Sequence, residues 1–233
     1  MELSKRLQAV ADLVSNGLIV ADIGTDHGYI PIYLVKTKGA PYAYAMDVNH
    51  GPLIRARDHI AEYGLDTFIE TRLSDGVREV RPGECECVVI AGMGGALTIK
   101  IMEEGKEIFK GLKEFVLQPQ SELHKVREYL CQNEYCIVDE NMVLDDGKFY
   151  PMFRVVNRQS VEYDVIELRY GKLLLEQKNV VLKAFLEKEK SVKEIILANL
   201  DKNRGDHIEV RKKEIKEELE GIKYALQRYY ECN

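Results

Sequence analysis

Five short apolar runs, at residues 18–23, 42–46, 67–73, 87–91 and 115–117, recur along the first half of the chain, and helical patterns fill most of the gaps between them. This alternation restricts the fold more than any other feature. A strand that leads through a helix into the next strand returns parallel to it, so the runs predict a parallel sheet with helices on both faces. An amphipathic helix is expected to open the chain, because Leu3, Leu7, Val10 and Val14 fall at helical spacing while Lys5 and Arg6 lie on other faces. The rhythm then changes. Residues 135–144 and 149–156 are strand-like runs joined by Asp145-Asp146-Gly147-Lys148, whose Asp-Gly step suits a tight hairpin, so the sheet should acquire an antiparallel pair at its C-terminal edge.

Beyond about residue 160 the composition shifts to Leu, Ile, Val, Lys and Glu, and proline disappears. Leu173, Leu174, Val181, Leu182, Phe185 and Leu186 predict one amphipathic stretch, Val192, Ile195, Ile196 and Leu200 another, and Ile208, Ile215, Leu219, Ile222 and Leu226 a third. Asn199 to Asp206, with Asn203 and Gly205, reads as the turn between two antiparallel helices. Two domains follow, residues 1–157 and residues 158–233, the second a small all-α helical hairpin. The chain's formal net charge is -6, and acidic and basic residues balance beyond residue 160, so overall charge makes no case for nucleic acid; such a partner needs a local basic patch. Five cysteines, an odd number without a paired C-x-x-C set, predict free thiols in a reducing cytosol and no metal site. No apolar run approaches the roughly 20 residues of a membrane span.

The chemistry concentrates in Ala21-Asp22-Ile23-Gly24-Thr25-Asp26-His27-Gly28-Tyr29, a glycine turn directly after the first apolar run. A Walker loop would need lysine and a hydroxyl residue after its last glycine, and neither follows Gly28. A dinucleotide fingerprint beginning at Gly24 would need glycine at 26 and 29, where Asp26 and Tyr29 stand. Asp26 would also repel a pyrophosphate. S-adenosylmethionine carries a sulfonium and an amino-acid zwitterion but no phosphate, so Asp22 and Asp26 suit it. Asp47, ending the second strand, can accept from ribose hydroxyls, and Asp75, ending the third, can meet the adenine amino group. Gly92, Gly94 and Gly95 leave the crevice open after the fourth strand. Each feature also has a plainer explanation: Asp26 can cap the helix that starts near Tyr29, and glycines can serve close packing. Together, and with a closing hairpin more typical of class I methyltransferase sheets than of dinucleotide-binding ones, they favour the cofactor.

Ser4-Lys5-Arg6-Leu7, the Ala21 to His27 turn, Ile90-Ala91-Gly92-Met93-Gly94-Gly95, Leu117-Gln118-Pro119 and Asp146-Gly147-Lys148-Phe149-Tyr150 together resemble the bacterial tRNA (adenine-22 N1)-methyltransferases, the TrmK family. The resemblance spans essentially the whole chain. It implies a class I, Rossmann-like methyltransferase domain followed by an antiparallel coiled-coil domain that orients tRNA. It also implies methylation of N1 of adenine 22 in the D-arm. Asp22, Gly24, His27, Gly28, Asp47, Val48, Asp75, Gly76, Ala91, Gly92 and Met93 would then surround S-adenosylmethionine. Asp26 and Tyr29 would act on the target base as catalytic residues, and Lys5, Arg6 and Gln118 would meet the substrate.

Adenine N1 is neutral and has an in-plane lone pair, so it can attack the methyl group without prior deprotonation, and positioning supplies most of the rate. A carboxylate accepting from the N6 amino group would stabilise the positive charge that develops, the role expected of Asp26, while Tyr29 would stack on the base. His27 is either a proton relay or a residue that steadies the turn. Lys36, Lys38, Arg55, Arg57, Lys110 and Lys113 are further candidates for phosphate contacts. Methylation at N6 is disfavoured, since the fourth strand lacks the Asp/Asn-Pro-Pro-aromatic end that grips an amino group. The expected protein is a cytoplasmic monomer that binds tRNA and no membrane. Three alternatives stay open: a small-molecule methyltransferase that dimerises through its helical hairpin, a silent RNA-binding module, and a nicotinamide-dependent oxidoreductase.

Overall fold

A computed structural model describes residues 2–201 and 206–231. The chain divides into two compact units, Met1–Glu162 and Tyr163–Asn233. The first is built on a seven-stranded sheet of order β3-β2-β1-β4-β5-β7-β6. Its strands are β1 (Val20–Ile23), β2 (Ala43–Asp47), β3 (Ile69–Leu73), β4 (Cys87–Met93), β5 (Glu114–Pro119), β6 (Tyr135–Asp145) and β7 (Lys148–Asn157). The first five pair in parallel, and β7 runs antiparallel to both β5 and β6. Every residue of β1, β2 and β5 is buried, as expected of strands covered on both faces.

Six helices cover the sheet: α1 (Lys5–Leu13), α2 (Tyr29–Thr37), α3 (His50–Glu62), α4 (Gly95–Glu104), α5 (Lys106–Gly111) and α6 (Leu123–Gln132). Ser4 caps α1 by accepting from the Leu7 amide. The apolar face of α1 (Val10, Ala11, Leu13) packs with Leu34 of α2 against Val20, Val89, Val116 and Met152 of the sheet. On a second cluster, Ala56 and Ile60 of α3 meet Ile32, Ala45 and Ile69. The Ser15 amide and hydroxyl donate to the buried Glu114 carboxylate at 2.7 and 2.6 Å, which fixes the exit of α1 to β5. Because β1 lies between β2 and β4, the connection from β1 to β2 and the one from β4 to β5 leave in opposite directions, and the crevice between the carboxyl ends of β1 and β4 is the place where open α/β sheets bind ligands.

The hairpin forms where the Asp-Gly step predicts it. Asp145 pairs with Lys148, and Asp146 and Gly147 both have positive φ, 46° and 73°, as a tight turn matched to strand twist requires.

The second unit comprises α7 (Val165–Tyr170), α8 (Lys172–Glu176), α9 (Val180–Leu200) and α10 (Asp206–Leu226), with a π-helical turn at Gln227–Glu231. Ion pairs Lys212–Asp201, Lys193–Glu218 and Lys223–Glu194 show that α9 and α10 run antiparallel. Leu182 and Leu186 of α9 and Ile215, Leu219, Ile222, Ala225 and Leu226 of α10 are buried. The helix boundaries differ from the sequence pattern. The stretch expected from Leu173 to Leu186 is broken at residues 177–179, where Lys178 has φ 51° and the Asn179 side chain accepts from the Val181 and Leu182 amides, starting a new helix. The second half of that stretch and the one expected from Val192 to Leu200 instead form one continuous helix. The turn expected from Asn199 to Asp206 begins within α9, and residues 202–205 lie outside the described residues, as does Cys232.

Candidate active site

β1 delivers Asp22 to its carboxyl end with 3% of its surface exposed. Burial pushes this carboxyl up to about 7; the nearby Asp47 charge adds to the effect and the Thr25 hydroxyl opposes it. After Ile23 the chain turns sharply, and the Gly24 and Thr25 amides both donate to the Met46 carbonyl of β2. Gly24 sits at φ 77°, and a Cβ there would lie 2.5 Å from the Met93 methyl group. Because the Met93 tip can move aside, the backbone conformation is what demands glycine.

Asp26 follows at φ 48°, with its side chain 58% exposed. Gly28, not Asp26, occupies the N-cap position of α2, and no side chain caps that helix. The Asp26 carboxylate turns elsewhere. One oxygen accepts from Arg55 of α3 in a short ion pair, and the other lies 3.5 Å from His27 Nε2. The rings of His27, Tyr29 and His59 are close to parallel, with centroids 5.1 to 5.4 Å apart. A carbonyl oxygen can only accept, so the 3.0 Å contact from His59 Nδ1 to the His27 carbonyl places a proton on Nδ1. No sequence pattern marks His59, and Arg55 stands out in the sequence only as a candidate phosphate contact.

Opposite this turn, α1 presents Arg6. Its Nη1 donates at 3.0 Å to Gln118 Oε1, which also accepts from the Gly92 amide at 3.1 Å. The guanidinium lies 5.5 Å from the Tyr150 ring centroid, and the Arg6 amide donates to Asp145 of the hairpin. Gln118 and Tyr150, from two distant strands, therefore hold one cation at the crevice, and Asp145 anchors the backbone that carries it.

The structure gathers Arg6, Asp22, Gly24, Asp26, His27, Tyr29, Ala91 and Gly92 around a cleft of about 420 Å³, which Gln120 also lines. The other expected residues stand outside that lining. Gln118 is fully buried behind Arg6 and is placed to orient it, so the exposed Gln120 takes the position at the cleft expected of Gln118. Lys5 is exposed on α1. Asp47 is nearly buried at the end of β2 and accepts from the Asn49 amide, and beside it Val48 is 58% exposed. Asp75 pairs with Arg78 at 3.1 Å, and Gly76 packs under Ile101. Gly28 packs on Ala56, and Met93 reaches over Gly24. Gly95 answers to packing: a Cβ there would lie 2.5 Å from the Ser121 carbonyl.

Asp22 is the observation that tests the cofactor. No cation among the described residues pairs with this buried carboxyl, which lines the cleft and whose ionisation burial disfavours. A ligand bringing a positive charge would complete it, and one bringing a pyrophosphate would meet Asp26 as well. The residues present fit S-adenosylmethionine.

Residues 3–153 match a family described as a methyltransferase domain. The tRNA (adenine(22)-N(1))-methyltransferase of Bacillus subtilis (strain 168) is 38% identical over 193 residues, covering 81% of this chain and 80% of that protein. The crystal structure of the B. subtilis M1A22 tRNA methyltransferase TrmK superposes with a TM-score of 0.85 at 31% identity, over 97% of this chain and 99% of that one. M. capricolum TrmK, solved in complex with the natural cofactor product S-adenosyl-homocysteine, gives a TM-score of 0.83 at 29% identity, over 97% and 98%. The likeness runs through sheet, crevice turn and C-terminal helices alike, and by it this chain belongs to the tRNA (adenine-22 N1)-methyltransferase family.

Proposed function

We infer that this chain transfers a methyl group from S-adenosylmethionine to N1 of adenine 22 in the D-arm of tRNA. The observation that carries the reading is the cleft itself: a buried carboxyl and an exposed carboxylate flank a glycine turn in a chain 38% identical to an enzyme of that activity.

S-adenosylmethionine, when bound, supplies an electrophilic methyl group. The chain's residues do the rest. Asp22, which lines the cleft, would pair with the positive end of the cofactor, and Asp47, Val48, Asp75 and Gly76 would hold its nucleoside end. Arg6, braced by Gln118 and Tyr150, meets the substrate across from Asp26. N1 lies on the Watson–Crick edge, so the base must leave its pairing before it can react. Tyr29, steadied by His27 and His59, offers a stacking surface for it. As the adenine ring becomes cationic, Asp26 accepts a hydrogen bond from N6, stabilises the charge and takes a proton afterwards.

Residues 1–157 carry the chemistry in this reading, and the helices of residues 158–233 orient the tRNA. The chain works as a monomer in the cytoplasm; no helix among the described residues is long and apolar enough to cross a membrane. Incubation with S-adenosylmethionine and an unmodified tRNA transcript, followed by nucleoside mass spectrometry, should yield 1-methyladenosine, and replacing adenine 22 should abolish it. No product from a chain that binds the cofactor would overturn the tRNA reading and favour a small-molecule substrate.

A further inference from the structure

The catalytic carboxylate is already engaged. One oxygen of Asp26 accepts from Arg55 and the other faces His27 Nε2 at 3.5 Å, so an adenine N6 hydrogen that reaches the carboxylate must share it with a cation already paired there. Of the two neighbours, His27 is the fixed one: its ring stacks on Tyr29 and His59, and its carbonyl holds His59 Nδ1. Arg55 is the movable one, because it reaches Asp26 on a long side chain from α3 and the two side chains are 47% and 58% exposed. Ion pairs this exposed contribute little and exchange easily.

Charge says where Arg55 must go. A guanidinium kept beside Asp26 would cancel the carboxylate just as the adenine becomes cationic. The substrate that brings the adenine also brings phosphodiester oxygens, and a guanidinium's planar fork suits them.

We propose that Arg55 is a tRNA-binding residue coupled to catalysis: it exchanges from Asp26 onto a phosphodiester oxygen of the tRNA backbone and so frees the carboxylate for the target base. No covalent bond changes in this step; one ion pair replaces another. The inference rests on the reaction assigned above, and it turns Arg55 from a general surface cation into the residue that makes Asp26 available only when tRNA is present.

The test compares the full-length chain with Arg55→Ala and Arg55→Lys, measuring kcat, KM for a tRNA transcript and the salt dependence of tRNA binding. Arg55→Ala should raise KM by about tenfold, the loss expected of one charge-assisted contact. It should also flatten the slope of log affinity against log salt by about 1. In the complex Arg55 has already left Asp26, so kcat should stay within about threefold of the wild type. Arg55→Lys should recover the salt slope, since a point charge suffices to displace a counterion. If Arg55→Ala instead loses kcat while KM and the salt slope hold, Arg55 merely orients Asp26 and the proposal is wrong. Should Arg55→Ala lose cofactor binding, Arg55→Gln, which keeps a polar stem, is read in the same way. Absence of methylation by the wild-type chain would count against the reaction, and the salt slope, a binding measurement, would still decide for or against Arg55.

Discussion

Asp22, in β1, and Asp26, in the turn that follows it, are chemically identical side chains four residues apart, and the fold gives them opposite surroundings. Asp26 is exposed between Arg55 and His27, where it can act on a base that approaches from solvent. Asp26→Ala should therefore retain cofactor affinity in calorimetry and lose most methyl transfer, a fall of about a hundredfold or more for a stabilising group of this kind. Full activity in that variant would remove Asp26 from the mechanism. Asp22 is desolvated, and its carboxyl is raised from 3.8 to about 7. Between those two values the folded chain holds a proton that the unfolded chain gives up, so the cofactor-free protein should lose stability as pH rises from about 4 to about 7. A cationic ligand favours the ionised form, so cofactor affinity should increase as pH rises through about 7, and Asp22→Asn should flatten both profiles. Both carboxylates were legible in the sequence because they share one short motif. Their partners were not: Arg55 lies 29 residues from Asp26 and His59 32 residues from His27, and no local pattern announces that α3 passes over the turn.

At the level of elements, the parallel strands follow from apolar runs that alternate with helical patterns, and the hairpin from its Asp-Gly step, whereas the strand order is set by the packed sheet. The joint between α6 and β6 is set by packing too. Arg127 and Glu140 are 1% and 0% exposed, bonded at 3.0 Å, with the guanidinium also over the Phe153 ring. Arg127→Met removes the cation from beside a fully buried carboxylate and should cost about 3–5 kcal/mol in denaturant unfolding. Adding Glu140→Leu should restore much of that loss, because two apolar side chains need no charge partner. An unchanged midpoint in the single variant would show that the pair matters little. In the sequence these residues are one charge on a helix and one on a strand, indistinguishable from solvated neighbours until both are packed inside. The helices of the second unit teach the same lesson from the other side. Apolar spacing identified their faces, but Asn179 and Lys178 decided where one helix stops and the next begins, through a cap and a left-handed residue that periodicity cannot register.

For the whole molecule, the two compact units invite separation. A chain ending at residue 162 keeps all seven strands and every residue assigned to the cleft, so it should fold and bind S-adenosylmethionine with near-native affinity. It should methylate tRNA poorly, with the loss in KM, if residues beyond 162 orient the substrate; unchanged kinetics would leave those helices without that role. The sequence by itself determined the fold class, the antiparallel closing edge, the helical C-terminal region and the acidic glycine turn, since each is written in local periodicity, turn chemistry or a short motif. Only the tertiary structure decided that Gln118 lies behind Arg6, that Arg55 and His59 stand beside Asp26 and His27, and that Asp22 meets no cation among the described residues. Those outcomes depend on which distant side chains the packed sheet brings within a few ångströms, and burial and charge pairing are properties of that arrangement in space, not of any stretch of chain.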